Sequence, residues 1–175
     1  NFTGRGDVVI GRHSRDDLMK WPELPEDLLA AYPPSKGIKV RAMGGKGTPR
    51  KILGQKNVPS NWELLNRDQE DVKDFLHSLD FYVFFQHSSA IEAFGRSILE
   101  AIASDLVVIL PPHYEEVFGD AAIYCSPREV EGVIGFYRQH PSEYFAQIER
   151  ARSTVSGNFT HSAYLNRIEG LLTSK

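Results

Sequence analysis

The sequence predicts an α/β fold with a single open, doubly wound parallel sheet of Rossmann type, and three observations lead there. Two unbroken apolar runs, Phe81 to Phe85 and Leu106 to Leu110, suit strands buried on both faces, as parallel strands are. Between them Ile98, Leu99, Ile102 and Ala103 repeat at i, i+1, i+4 and i+5, the apolar face of one helix. Strand-like and helix-like segments alternate along most of the chain, the pattern of βαβ units.

In chain order, Asp7 to Gly11 reads as the first strand, with Gly11 marking the turn that leaves it. The charged segment Arg12 to Glu23 follows, whose plain reading on its own is a solvated loop. Leu24 to Tyr32 is a short helix closed by Pro33 and Pro34, and Ile38 to Ala42 is the second strand. Gly44, Gly45, Lys46 and Gly47 form a glycine-rich exit from it, but no Gly-Lys-Ser/Thr follows, so the phosphate-loop pattern is not met. Lys51 to Leu53 and Trp62 to Leu65 read as short strands, and a helix starts at Asp68 or Gln69 with Val72, Phe75, Leu76 and Leu79 as its apolar stripe. After the central unit, Pro111 and Pro112 stop the ladder and His113 to Phe118 supplies one or two helical turns. Ala121 to Cys125 is the last strand. Helices then run from about Pro127 to Gln139, from Pro141 onward, and from Phe159 to Leu172, with the 141–175 tail all helical. The tail aromatics Phe136, Tyr137, Tyr144, Phe145, Phe159 and Tyr164 are expected to pack on the sheet.

Composition narrows the function. The 175 residues carry 41% apolar and 25% charged side chains, as one soluble domain does. A net charge of −3 argues against general nucleic-acid binding, and the lone Cys125 excludes an internal disulfide or a cysteine-built metal site. No run of about 18 apolar residues is present to span a membrane, and no secretory signal is visible. A start at Asn1 is what a processed product or an excised piece of a longer chain would show. The RGD at Arg5 to Asp7 and the N-x-T sequons at Asn1 and Asn158 are short patterns of high chance frequency, and no function is assigned to them. The dinucleotide fingerprint G-x-G-x-x-G is absent after the first strand, which disfavours a hydride-transferring nicotinamide enzyme.

The functional signal is a carboxylate pair at the start of the central helix, Glu92 and Glu100, at the strand edge where ligands of parallel sheets bind. Two helical glutamates are more often solvated surface. Glu100, however, sits among Ile98, Leu99, Ala101 and Ile102 between two buried strands, so it must point outward or have partners. A nucleoside-diphosphate sugar would use these groups well. The helix start near Gly95 offers free amides and about half a unit of positive charge to a diphosphate, and glycine there lets the phosphate reach the backbone. Glu100 can accept from both ribose hydroxyls. Glu92 would repel phosphate and is placed on the sugar, while Arg12 and Lys20 neutralise the diphosphate. The base pocket is expected around Gly44 to Gly47 and Asn66 to Val72.

The segment EAFGRSILEAIAS resembles the E-x7-E segment of retaining glycosyltransferases of family 4, and the likeness extends outward. GRHS with Lys20 resembles the Gly-Arg…Lys phosphate loop that opens that family's carboxy-terminal domain. LDFYVFFQHS and VVILPPHYEEVFGDAAIYCSP resemble the strands on either side of the motif. The resemblance implies the carboxy-terminal half of a GT-B architecture, spanning 1–175 as a donor-binding domain. It implies Glu92, Arg12 and Lys20 as catalytic residues, with Gly11, Arg15, His87, Ala93, Phe94, Gly95 and Glu100 around the donor. It implies no metal or cofactor, a UDP-, GDP- or other nucleoside-diphosphate sugar as substrate, and an amino-terminal acceptor domain outside this chain. A role in bacterial surface polysaccharide synthesis follows, in the cytoplasm, with the full-length enzyme peripheral to the inner face of the membrane. The sequence departs from the family at Ser104-Asp105, where glycine is usual, and at Pro111-Pro112. The Arg12 to Lys20 spacing is also longer, which leaves Arg15 open as the second phosphate ligand. Two other classes stay open: a non-catalytic nucleotide- or sugar-binding module, and a nucleotide-sugar epimerase. A phosphorylase would need a pyridoxal-binding lysine, for which no candidate follows a suitable strand.

Overall fold

In a computed structural model of the chain, described for residues 2–90 and 95–159, six parallel strands form one sheet in the order β3-β2-β1-β4-β5-β6. The strands are β1 (Val8–His13), β2 (Ile38–Met43), β3 (Trp62–Leu65), β4 (Phe81–Val83), β5 (Val107–Leu110) and β6 (Ile123–Tyr124). The helices are α1 (Pro25–Ala31), α2 (Thr48–Leu53), α3 (Val72–His77), α4 (Arg96–Ala103), α5 (Glu115–Phe118), α6 (Val130–Gln139) and α7 (Pro141–Asn158). The expected architecture is present.

The alternation of the buried strands divides the core into two layers. Phe81, Val83, Phe85, Val107 and Ile109 pack with Leu28, Tyr32, Ile134 and Tyr144 on one face. Tyr82, Phe84, Val108 and Leu110 pack with Phe75, Leu76, Ile98, Ile102 and Phe118 on the other. Successive residues of a strand point to opposite faces, so an uninterrupted apolar run is the signature of a sheet covered on both sides.

Several boundaries differ from the sequence reading. Strand β1 runs two residues further than expected, so Gly11 is not at its exit but in mid-strand, paired with Arg41 of β2 and Tyr82 of β4. Two neighbouring strands extend the ladder and override the turn tendency of glycine. A Cβ on Gly11 would run into the Arg41 carbonyl oxygen and lie 2.9 Å from Leu79 Cδ2, so close packing is the physical reason for this glycine. Lys51 to Leu53 is helix, the end of α2, because Pro49 sits at the helix start and Asp16 accepts hydrogen bonds from the amides of Gly47 and Thr48. Helix α3 begins later than expected, at the N-cap Asp71, whose carboxylate accepts from the amides of Lys73 and Asp74. The last strand is shortened to Ile123–Tyr124.

The turn after α4 explains the missing glycine. Asp105 adopts φ +60°, the left-handed conformation that glycine would occupy at no cost. The Leu106 amide closes back on the Ala101 carbonyl, and Arg152 of α7 grips the Asp105 carboxylate through two bonds of 2.7 Å. Of the tail aromatics, Tyr137 and Tyr144 are buried, whereas Phe136 and Phe145 are about half exposed. Phe159 stacks on Phe118. Tyr164 and the helix expected over Phe159 to Leu172 lie outside the described residues, apart from Phe159 itself, which caps α7.

Replacing Gly11 by alanine is expected to lower stability by about 1–3 kcal/mol, the range for overpacking a closed site, read as a lower urea midpoint with an unchanged slope.

Candidate functional site

The strand order places β1 between β2 and β4, and the chain changes its direction of winding there. The connections leaving β1 and β4 therefore part, and a crevice opens at the carboxyl edge between them. The structure has a cleft of about 650 Å³ at that edge, within the roughly 300–1,000 Å³ of small-molecule sites. Among the described residues its walls are His13, Ser14, Arg15 and Lys20 after β1, Met43 at the end of β2, Arg67, Asp68 and Val72 between β3 and α3, Phe84, and Gly95, Arg96, Ser97 and Glu100 of the α4 start.

Helix α4 begins at Gly95, which holds φ +62° and ψ +57°, a left-handed conformation that favours glycine. Among the described residues no side chain caps this helix start. The amides of Ile98 and Leu99 bond the Gly95 carbonyl, and those of Arg96 and Ser97, with their share of the helix dipole, can receive what enters the cleft. Arg15, Lys20, Arg67 and Arg96 bring four cations to the walls, against the carboxylates of Asp68 and Glu100. The arrangement can hold an anion, with two acceptor groups beside it.

Four of the expected donor-site residues meet here: Arg15, Lys20, Gly95 and Glu100. Glu100 faces the crevice, with its Oε2 3.3 Å from His13 Nε2. Three others stand away from the walls. Gly11 is in mid-strand. His87 is in the segment after β4, its amide directed to the Met19 carbonyl and its Nδ1 accepting from the Ser89 amide. Arg12 is fully buried one layer behind the wall, its guanidinium held between the rings of Trp21 and Phe84 at 4.5 and 4.3 Å. Its Nη1 donates to the Phe85 carbonyl at 2.7 Å and, more weakly, to the Tyr32 hydroxyl at 3.4 Å, while among the described residues Nε and Nη2 have no hydrogen-bond partner. Glu92, Ala93 and Phe94 lie outside the described residues.

Of the two stretches expected near the base, Asn66 to Val72 does supply a wall, whereas Gly44 to Gly47 does not. The amides of Gly47 and Thr48 are already committed to Asp16. Burial acts to raise that carboxyl, but the bonds from Thr48 and Gly47, with Lys51 nearby, outweigh it and hold Asp16 below the usual aspartate range.

Sequence reasoning missed His13, Arg96 and Ser97. The signal for His13 was register: it pairs with Met43 at the ends of adjacent parallel strands, so both reach the same edge. Its ring packs edge-on against Tyr82 and Phe75, and its carbonyl accepts from the Tyr82 hydroxyl. Burial, reinforced by the Arg12 charge, pushes the His13 pKa down from 6.5 to about 4. The ring is therefore neutral at physiological pH, and its contact with Glu100 is not an ion pair.

No protein-family model matches the sequence, and no curated protein does. Solved structures do match. The architecture is that of the carboxy-terminal half of GT-B enzymes. TarM of S. aureus, solved with fondaparinux, α-GlcNAc-glycerol and UDP, superposes with a TM-score of 0.73 at 16% identity, over 99% of this chain and 37% of that one. HepE of Anabaena, solved with UDP and glucose, gives 0.70 at 18% identity, over 97% and 49%. The catalytic domain of the cholesterol-α-glucosyltransferase of Helicobacter pylori gives 0.61 at 18% identity, over 85% and 98%. This chain thus spans less than half the length of the first two.

The depressed His13 pKa has a measurable consequence. The unfolded ring binds its proton near pH 6.5 and the folded one only near 4, so acidification through that window favours the unfolded chain. Stability is expected to be full above about pH 6.5 and to fall from there toward pH 4, and NMR of the His13 ring should show no titration between pH 8 and about 5.5.

Proposed function

We propose that this chain is the donor-binding domain of a retaining, family 4-like glycosyltransferase. The full enzyme moves a sugar from a nucleoside-diphosphate sugar to a hydroxyl acceptor, in the synthesis of bacterial surface polysaccharide on the cytoplasmic side of the membrane. The observation that carries the reading is the start of α4, uncapped among the described residues, in a crevice between β1 and β4 whose walls also hold four cations and Glu100. An anionic diphosphate seated on the amides of Arg96 and Ser97 gains the helix dipole and the charges of Arg15, Lys20 and Arg96. Glu100, on the second turn of α4, is then the acceptor for the ribose hydroxyls, and the wall from Arg67 to Val72 flanks the base.

Transfer breaks the bond between the anomeric carbon and the diphosphate, so negative charge grows on the leaving group. Donors fixed in place before the reaction stabilise that charge without reorganising. Arg12 adds its charge from behind the Phe84 ring, and Glu92 is assigned to the transferred sugar. UDP is present in two of the superposed structures, which supports a nucleotide donor.

A second domain completes the site. Among the described residues, five of the seven exposed large apolar side chains follow the carboxyl ends of strands: Leu18, Met19 and Leu24 after β1, Val72 at the start of α3 after β3, and Val117 in α5 after β5. That edge is suited to being covered by an acceptor-binding domain, with the crevice between the two.

Calorimetry with UDP and GDP is expected to show nucleotide binding by this chain. Glu100→Ala should weaken it by roughly 1.5–3 kcal/mol, about ten- to a hundred-fold; unchanged affinity would return Glu100 to the solvated surface. The chain alone is expected to transfer no sugar, and measurable turnover without a second domain would overturn the two-domain reading.

A further inference from the structure

We infer that His13 sets the Glu100 carboxylate to receive a vicinal diol, and so makes the cleft discriminate ribonucleotides from nucleotides lacking the ribose hydroxyls. The inference rests on the donor-site reading above and assigns His13 as a positioning residue.

His13 is the last residue of β1, and its ring is fixed from several directions. Met43 is its register partner, Tyr82 and Phe75 pack edge-on to the ring, and the Tyr82 hydroxyl donates to its carbonyl. The side chain is only 13% exposed, whereas the Glu100 side chain it faces is 44% exposed. A rigid group therefore meets a movable one. Nε2 of His13 is buried and has no aligned hydrogen bond, although Glu100 Oε2 is 3.3 Å away. A buried donor without a partner is unfavourable, and a small rotation of Glu100 aligns the pair.

The protonation state makes this contact useful. A neutral imidazole with its proton on Nε2 can donate one hydrogen bond without cancelling the carboxylate charge. A carboxylate has about four acceptor directions. One taken by His13 fixes its plane, and those that remain accept from two neighbouring hydroxyls. A lysine or arginine in the same place would pair with Glu100 as an ion and compete with the diol. The pH-independent neutrality of the ring near pH 7 follows from its burial and from Arg12 behind it.

The test is calorimetry on the whole chain with uridine diphosphate and its dideoxy counterpart lacking both ribose hydroxyls, comparing wild type with His13→Leu and His13→Gln. Wild type is expected to prefer the ribonucleotide by about ten- to a hundred-fold. His13→Leu should erase most of that preference, and His13→Gln, which keeps a donor, should restore most of it. Should the leucine variant not fold, His13→Asn, whose donor is too short to reach Glu100, is expected to lose the preference in the same way. A variant without a reaching donor that keeps the wild-type ratio overturns the inference and leaves the donor site standing. Wild type that binds neither nucleotide overturns both.

Discussion

Strand β1 hydrogen-bonds to β2 on one side and to β4 on the other, and the chain winds in opposite directions away from these two contacts. Everything at the carboxyl edge follows from that arrangement. The segment after β1 and the segment after β4 cannot pack over one another, so a crevice remains between them, and it opens beside the start of α4. The pairing of β1 with β4 is short, Ile10 with Phe81 and Gly11 with Tyr82. The bare backbone of Gly11 lets β1 lie flush against Arg41 of β2 and the Leu79 side chain.

Arg12 shows what this crevice costs in local stability. Its side chain is enclosed by Trp21, Tyr32 and Phe84, with one nitrogen bonded to Phe85 and two without a hydrogen-bond partner among the described residues. Among the described residues Trp21 Nε1 is buried without a hydrogen bond, and His13 Nε2 is buried with only the unaligned Glu100 contact. Desolvated donors that serve only packing are rare, because each costs free energy that an apolar side chain would not. Their gathering at the end of β1 fits a region shaped for an anionic ligand rather than for the stability of the empty chain. The same buried charge helps keep His13 neutral, so one residue acts both behind the Phe84 wall and on the His13–Glu100 contact.

The central βαβ unit was legible because its signals are local. Phe81 to Phe85 and Leu106 to Leu110 are continuous apolar runs, and the α4 stripe has a helical period, so period alone separates them. The short elements were less legible. Lys51 to Leu53 has the composition of a strand, but the cap that makes it helical comes from Asp16, more than thirty residues earlier in the chain. Asp105 replaces a glycine at a left-handed turn, held by Arg152 on a distant helix. Neither partner can be read from a neighbouring position.

The sequence by itself determined the doubly wound sheet, the two-sided burial of its central strands and the place of Gly95 and Glu100 on one helix, since these depend on residue spacing within a single element. Only the tertiary structure decided that Arg12 stands behind the wall while Arg15, Lys20, Arg67 and Arg96 form it, and that His13 meets Glu100. Those positions depend on the register between β1, β2 and β4 and on where separate loops converge. They are fixed by contacts between residues far apart in the chain, for which residue spacing carries no signal.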